Sequence, residues 1–213
     1  MYFSNLLVIP YESFDNFVNL PNSILEKLSK NNNVSMPYYF KLETSYGSCH
    51  YVGVKEFTSQ ESTIEVPTWI AKDLGEDYIN IKLIEDITKA KYIKIKPLSK
   101  NFFDIPENEI ALEKSLSNYC ILQTELTIEV LIFDVTYEIK ILEIKDENDI
   151  FVDFAQIINV DLDVEFVNNF IKKEDETPEI TKIPEITETK QNILSREEIR
   201  QARLAYYDKI LKK

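Results

Sequence analysis

The chain has 213 residues, of which 44% are apolar and 29% charged, the composition of a globular protein with one or two cores. Its net charge of -13 disfavours DNA or RNA as a partner, because binding to either depends on neutralising phosphates. Only three glycines occur, Gly47, Gly53 and Gly75, so no glycine-rich phosphate loop can form and we expect no nucleotide cofactor.

The first residues and the two cysteines indicate the compartment. No run of about 18 apolar residues occurs, so we expect no membrane span. The opening MYFSNLLVIPYESFD has no basic start and soon reaches Pro10, which argues against a secretory or organellar leader. Cys49 and Cys120 lie far apart and outside any CxxC spacing, so we expect a reducing compartment, with both thiols buried as small apolar groups.

Most of residues 1–167 alternates apolar and polar side chains, as half-buried strands do. In residues 78–85, for example, Ile79, Ile81 and Leu83 alternate with polar neighbours. The same pattern predicts strands at 38–43, 50–57, 91–96, 127–133, 137–145 and 160–166.

Three short helices are predicted between these strands. Pro21 suits the first turn of one helix, and Pro67 opens a second over 67–74. A third covers roughly 106–119 and has acidic residues in its first turn, where the helix dipole favours them. Strands dominate and the helices are brief, which indicates a β-rich α+β or barrel-like fold and not a regular βαβ alternation.

The composition changes after the last predicted strand. Residues 172–191 contain two prolines, no aromatic residue and a duplicated PEIT, at 178–181 and 184–187. Such a segment cannot bury enough apolar surface to offset the entropy of ordering. We therefore predict a flexible linker over 168–193.

The last segment, 194–213, is predicted to be a basic amphipathic helix. Ser195 and Glu198 form a capping box at its start, and apolar residues recur at helical spacing behind them. Residues 195–213 carry six basic and three acidic side chains, so a cationic helix follows an acidic body. Either it docks on that body or it engages a partner, and the sequence leaves both readings open.

Residues with catalytic potential are few. His50 is the sole histidine and lies beside Cys49, but neighbours on a strand point to opposite faces, so we expect no Cys–His nucleophile there. Nothing in the sequence orients His50 towards the distant Cys120. A structural zinc site usually takes four Cys or His ligands, and the chain has only three such residues. We predict a protein that is not an enzyme and has no metal or other cofactor.

Two further patterns can be explained either by a binding function or by ordinary folding. Asp161, Asp163 and Glu165 place three carboxylates on one face of the strand 160–166, which would suit calcium. The intervening residues are apolar, so a half-exposed strand explains the same pattern, and we favour it. The twelve tyrosines and twelve phenylalanines are assigned to core packing and a protein interface, because stacking on bases requires a positive groove.

Seven short motifs follow one another over roughly residues 5–167. They are LPNSILEKLSK (20–30), MPYYFKLE (36–43), VGVKEF (52–57), VPTWIAKDL (66–74), KIKPLSKNFFDI (94–105), ALEKSLSNYCILQT (111–124) and DLDVEF (161–166). In this order they resemble the N-terminal domain of the ubiquitin fusion degradation protein 1 family.

The resemblance implies a double-psi β-barrel over residues 1–97 and a smaller α+β subdomain over 98–167. It implies an adaptor in ubiquitin-dependent and ER-associated degradation that binds ubiquitin or polyubiquitin chains. The implied partners are a nuclear protein localisation 4 type adaptor and an AAA unfoldase of the valosin-containing-protein type. The implied location is the cytoplasm, with the nucleus and the cytosolic face of the ER as further sites. A scaffolding protein that keeps the fold but has lost ubiquitin binding is the alternative.

The sequence departs from the family pattern in three places, one of which is a segment before Leu20 that is shorter than usual. No glycine follows Gly75, so the family's F-x-G-x-G motif for binding the unfoldase has no counterpart. The usual Thr-Gly-Asp turn appears as Gln123-Thr124-Glu125-Leu126, so the resemblance does not predict that turn. No residue that contacts ubiquitin can be assigned from the motifs. We assign the missing partner contact to the C-terminal helix, whose Arg and Tyr anchors are Arg196, Arg200, Arg203, Tyr206 and Tyr207.

Overall fold

A closed six-stranded barrel forms the first part of the structure. The computed structural model describes residues 1–30 and 36–168. Around the barrel the strand order is β1-β5-β2-β4-β3-β6, and β6 lies again beside β1. The pairs β1–β5 and β2–β4 are parallel, and the other pairs are antiparallel. The strands are β1 (Tyr2–Tyr11), β2 (Phe17–Pro21), β3 (Tyr39–Glu43), β4 (Cys49–Ser59), β5 (Thr63–Pro67) and β6 (Tyr78–Ile84).

Alternation along the barrel strands places apolar side chains inside. In β6, Ile79 and Ile81 are buried, as the period of two predicts. Short helices follow β2 and β5, namely α1 (Asn22–Ser29) and α2 (Thr68–Leu74). Each begins directly after a proline, because the first turn of a helix does not need the missing N–H. Helix α2 ends at Gly75, whose φ of 63° is a left-handed conformation that glycine adopts freely.

The second part is a smaller α+β unit. A four-stranded sheet has the order β12-β7-β10-β9, and β11 pairs with β8 in a two-stranded sheet. The 3-10 helix Lys100–Asp104 and helix α3 (Asn108–Leu116) lie between the first two strands of this part, and α3 is shorter than the predicted 106–119. The strands are β7 (Ala90–Pro97), β8 (Ile121–Gln123), β9 (Thr127–Ile132), β10 (Val135–Asp146), β11 (Phe154–Gln156) and β12 (Asp163–Phe166).

The predicted fold class, a barrel followed by a smaller α+β part, is confirmed for the described residues. The division between the two parts differs from the predicted residue 97. The last barrel strand ends at Ile84, and β7 lies between β12 and β10 in the second sheet. Alternation cannot show this, because the sheet to which a strand belongs depends on its hydrogen-bonded neighbours. The predicted linker, apart from its first residue, and the predicted helix at 194–213 lie outside the described residues.

The turn after β8 forms although it contains no glycine. Glu125 has a φ of 62°, in the left-handed region that favours glycine. Its N–H donates to the carbonyl of Ile141 at 2.8 Å, and the N–H of Thr124 donates to the carbonyl of Asp153 at 2.8 Å. Neighbouring strands therefore hold the turn that the resemblance did not predict.

One hydrophobic core runs through both parts. The largest fully buried side chains are Tyr119, Phe40 and Phe102. Trp69 of the barrel lies 6.2 Å from Tyr119 of the second part, measured between ring centroids. Because the core is shared, surfaces on the two parts are held by one packed interior. No helix within residues 1–30 and 36–168 is long and apolar enough to cross a membrane.

Candidate protein-binding surfaces

The candidate nucleophiles do not meet a base. His50 is buried, its Nε2 lies 2.6 Å from Oδ2 of Asp73, and its ring packs edge-on against Trp69. Burial lowers the pKa of His50, and the hydrogen bond to Asp73 opposes this shift only in part. Cys49 is half-buried on the other face of β4, where its sulfur accepts a long contact from Gln123 at 3.9 Å. The prediction that Cys49 is buried is wrong, because this end of β4 borders the surface.

Cys120 is a structural thiol at the junction of the two parts. It is fully buried, as predicted, and burial raises its pKa to about 12. A thiol with that pKa is protonated at neutral pH and is a poor nucleophile. Its Sγ lies 3.2 Å from Oδ1 of Asn16, and its backbone N–H donates to the same oxygen at 2.8 Å.

The strand that carries the three predicted carboxylates is an ordinary half-exposed edge. Asp161, Asp163 and Glu165 are exposed, and the residues between them are half-buried. Glu165 already accepts a hydrogen bond from the hydroxyl of Tyr92 at 2.5 Å and pairs with Lys94 at 3.0 Å. These partners hold the pKa of Glu165 below its usual value. Residues 1–30 and 36–168 contain no group of three or more Cys, His, Asp or Glu side chains arranged to hold a metal ion.

Asn16 joins the barrel to the second part. Its side chain is almost fully buried, and its Nδ2 donates to the carbonyls of Ile121 at 2.7 Å and Tyr51 at 3.3 Å. With the bond from the Cys120 N–H, this one amide connects β4 of the barrel with β8. Gly53 of β4 leaves the space that the Cys120 sulfur needs, because a Cβ there would lie 2.8 Å from Sγ. The junction is thus filled and hydrogen-bonded, so candidate binding surfaces are expected among the exposed residues.

A strained turn exposes an aromatic ring on the second part. Strands β9 and β10 are joined by Phe133 and Asp134, whose φ values are 50° and 61°. Both residues are left-handed, as in the tight hairpin turns that usually carry Asn and Gly. This conformation costs an L-residue such as phenylalanine about 1–2 kcal/mol. The ring of Phe133 is nevertheless 75% exposed, so no packing within the described residues compensates for the strain.

Phe133 borders an apolar depression beside helix α3. The depression has a volume of about 370 Å³, and its apolar rim includes Ile110 and Leu131, both exposed. Glu107 and Lys114 are the charged residues that line it. We call Ile110, Leu131 and Phe133 the hairpin surface. Exposed apolar side chains grouped in this way mark protein interaction sites more often than isolated ones do.

Helix α3 blocks strand addition at this surface. Strand β9 is the edge of the four-stranded sheet, and an open edge would offer its backbone groups to a partner strand. Ser115 donates its hydroxyl to the carbonyl of Leu131 at 2.8 Å, and Tyr119 donates its hydroxyl to the carbonyl of Glu129. Since these outer carbonyls are occupied, we expect the hairpin surface to be recognised through its side chains.

A second exposed surface lies on the barrel. Tyr46 is 90% exposed on the turn between β3 and β4, and Tyr78 is exposed at the start of β6. Both line a depression of about 530 Å³ together with Glu76, Asp77 and other polar residues. We call Tyr46, Tyr78, Glu76 and Asp77 the tyrosine surface. Tyrosine is enriched in the energetically important centres of protein interfaces.

Sequence reasoning did not identify these two surfaces. The predicted strand 127–133 took Phe133 as its last residue, although the two residues between paired β9 and β10 form a turn. A phenylalanine at such a position, where Asn or Gly is usual, is a signal that the sequence does contain. The predicted partner-binding residues Arg196, Arg200, Arg203, Tyr206 and Tyr207 lie outside the described residues.

Two family models match the chain side by side. Ubiquitin fusion degradation protein UFD1, N-terminal subdomain 1, matches residues 11–88, and N-terminal subdomain 2 of the same protein matches residues 89–169. The boundary between them falls where the barrel ends and the second sheet begins.

Three relatives give the same result. Ubiquitin fusion degradation protein 1 of Schizosaccharomyces pombe is 32% identical over 160 residues, which cover 74% of this chain and 46% of that protein. The Saccharomyces cerevisiae protein of the same name is 33% identical over 139 residues, or 64% of this chain and 38% of that protein. Ubiquitin recognition factor in ER-associated degradation protein 1 of Mus musculus is 29% identical over 162 residues, or 75% and 51%.

A closed barrel packed on a smaller α+β part, with aromatic and apolar side chains left exposed, defines a β-rich module with two candidate binding surfaces. The chain belongs to the ubiquitin fusion degradation protein 1 family, and both N-terminal subdomains of that family are present. It spans about half the length of the curated relatives it matches, or less.

Proposed function

We propose that this protein is a non-enzymatic ubiquitin-binding adaptor that helps deliver ubiquitylated proteins for degradation. The observation that carries the proposal is the match of both subdomains to a family named for ubiquitin fusion degradation. The mechanism is tethering. Weak contacts with single ubiquitin units are multiplied when a chain of them, or a shared partner, raises the effective concentration.

The hairpin surface is our candidate for the ubiquitin contact. A protein partner of ordinary affinity needs a few apolar anchors that become fully desolvated on binding. Phe133, Ile110 and Leu131 supply such anchors around one depression. The strained Phe133 turn supports a role in binding, because a residue is kept in an unfavourable conformation most often where function requires it.

An NMR titration tests both the function and the surface. Unlabelled ubiquitin is added to the ¹⁵N-labelled full chain, and we expect saturable shifts centred on Ile110, Leu131 and Phe133. Phe133→Asn is expected to weaken binding about tenfold, the loss typical of an aromatic anchor. Asn is a preferred residue in this turn, so the variant should keep or gain stability while it loses affinity.

The matched control is Phe151→Asn, which removes another exposed phenylalanine that is bridged to Lys145 of β10 and does not line the hairpin depression. Unchanged affinity in this variant shows that the loss at Phe133 is local. If saturable shifts occur at other residues, the proposal of ubiquitin binding stands and the assignment of the contact to the hairpin surface is overturned. If ubiquitin and tetra-ubiquitin cause no shift, the adaptor proposal fails and the scaffolding alternative, in which the fold is kept without ubiquitin binding, is favoured.

We further propose that the C-terminal segment connects this module to an AAA unfoldase of the valosin-containing-protein type, alongside a nuclear protein localisation 4 type adaptor. The support is the sequence of residues 194–213, with its helical spacing and the basic and tyrosine anchors named above. The proposed location follows the partners, in the cytoplasm, in the nucleus or at the cytosolic face of the ER.

Deleting residues 192–213 is expected to reduce recovery of the unfoldase at least about tenfold in a pull-down with purified components, because several interface anchors are lost together. Ubiquitin affinity of the same variant serves as the control and should not change. Undiminished recovery of the unfoldase would refute the role of this segment and leave the ubiquitin proposal intact.

A further inference from the structure

We infer that the tyrosine surface is a second binding site, which takes an arginine-bearing extended segment of a protein partner. It lies on the barrel, whereas the hairpin surface lies on the second part, so the inference does not depend on the hairpin surface being the ubiquitin contact. Three irregular parts of the backbone build this surface. They are a bulge in β1, the left-handed end of α2 and the turn between β3 and β4.

The first feature is a bulge in β1. The pairing of β1 with β6 shifts between Phe3 and Leu6, and Asn5 takes a left-handed φ of 59°. The N–H of Asn5 donates to Oδ1 of Asn80 on β6 at 3.0 Å, which closes the bulge on the neighbouring strand. Bulges re-aim side chains and occur often beside functional sites. Here the bulge forms one wall of the depression, with both asparagines lining it.

The second and third features fix the aromatic and acidic side chains. Gly75 ends α2 in a left-handed conformation and turns the chain so that Glu76 and Asp77 face the depression. Ser45 donates its backbone N–H to Oε2 of Glu76 at 3.1 Å and its hydroxyl to the other carboxylate oxygen. This pair of bonds ties the β3–β4 turn to the end of α2. Tyr46 is the next residue and is 90% exposed, so its ring is accessible to a partner.

The chemistry of the lining selects a cation. Two phenol rings and two carboxylates line the depression, and none of the described residues around it is Lys, Arg or His. The carboxylate of Asp77 has no hydrogen-bond or ion-pair partner within residues 1–30 and 36–168, so it is available to a ligand. A phosphate-bearing ligand would be repelled by the two acids. A cation that stacks on a phenol ring and pairs with a carboxylate gains from both interactions.

Arginine fits this lining better than lysine. Its planar guanidinium stacks on aromatic faces while its N–H groups remain free to bond a carboxylate in the ring plane, whereas an ammonium is a compact and strongly hydrated charge. Asn5 and Asn80 offer polar side chains along the wall of the depression, where they can bond the main chain of a segment. A segment with arginine at its centre therefore matches the site in charge and in polar groups.

Fluorescence anisotropy with labelled hexa-arginine and hexa-lysine peptides, added to the full chain at constant ionic strength, tests the inference. We expect hexa-arginine to bind more tightly than hexa-lysine, by a factor of about three. Tyr46→Ser should weaken hexa-arginine binding about fivefold and Asp77→Asn about threefold, whereas Tyr46→Phe should keep the affinity because the ring remains.

The control separates a built site from the general attraction of an acidic protein. Glu147→Gln removes one exposed carboxylate that lies in the turn after β10 and does not line the depression, and we expect hexa-arginine affinity to change less than about 1.5-fold, since an exposed charge outside the site is screened by salt. Equal losses in Glu147→Gln and Asp77→Asn, or no loss in Tyr46→Ser, would overturn the inference, as would the absence of saturable binding. Ubiquitin affinity of Tyr46→Ser, measured in parallel, keeps failure here distinct from failure at the hairpin surface.

Discussion

Replacing Asn16 by alanine is expected to lower the free energy of unfolding by about 3 kcal/mol, because a buried donor and acceptor each lose their partner. The N–H of Cys120 would lose the oxygen at 2.8 Å, and the carbonyl of Ile121 would lose the amide at 2.7 Å. Both groups lie at the junction, where water cannot replace the side chain without opening the contact between β4 and β8. Urea denaturation measures the effect. It is followed by the fluorescence of Trp69, which is the only tryptophan in the chain and is buried.

Asn19→Ala is the matched control for this prediction. Asn19 is a half-buried asparagine of β2 whose Nδ2 donates to Oε2 of the half-buried Glu65 at 2.8 Å, and its Oδ1 is buried without a partner in the described residues. Removing it deletes one hydrogen bond and relieves one unsatisfied atom, so a loss of no more than about 1 kcal/mol is expected. If Asn16→Ala costs no more than Asn19→Ala, the Asn16 bonds do not hold the two parts together.

Gly53→Ala is expected to lower the free energy of unfolding by about 2–3 kcal/mol through overpacking. The added Cβ would lie 2.8 Å from the sulfur of Cys120 and 2.9 Å from the ring of Phe17. Cys120 cannot withdraw easily, because its backbone N–H and its sulfur both contact Asn16. The same denaturation experiment measures the loss.

A double-mutant cycle with Cys120→Ala shows whether crowding is the cause. Without the sulfur, the close contact disappears, and Gly53→Ala should then cost less than half as much, the remainder coming from Phe17. Additive losses would mean that the glycine is required for a reason other than the space beside Cys120. Asn16, Gly53 and Cys120 together explain how β4 packs against the second part.

The strand alternation and the turn residues predicted much of the fold correctly. Strands β3, β4, β6, β7, β9, β10 and β12 overlap the predicted strands, and the helices after Pro21 and Pro67 begin where a proline is tolerated. Strand β1 was missed, because its apolar residues do not alternate and its pairing is interrupted by the bulge at Asn5. Periodicity shows which face of a regular strand is buried. A bulge interrupts the alternation of side chains between the two faces, so a bulged strand does not give this pattern.

The candidate surfaces depend on contacts that no local pattern contains. Phe133 becomes exposed because β9 and β10 pair in a register that leaves two residues for the turn. Ile110 joins it only because α3 packs along the edge of β9 through Ser115 and Tyr119. Tyr46 and Tyr78 are 32 positions apart in the chain and meet at one depression because β3 pairs with β6.

The absence of a glycine-rich loop, the single histidine and the ordered family motifs are properties of the sequence alone, and the motifs were sufficient to predict the family and its fold class. Side-chain chemistry and hydropathy act locally, so they determine which residues are buried and which elements form. Register, sheet membership and the packing of α3 are decided by long-range hydrogen bonds and close packing, which have no counterpart in any short stretch of sequence. Only the tertiary structure therefore decided which exposed residues lie together as binding surfaces.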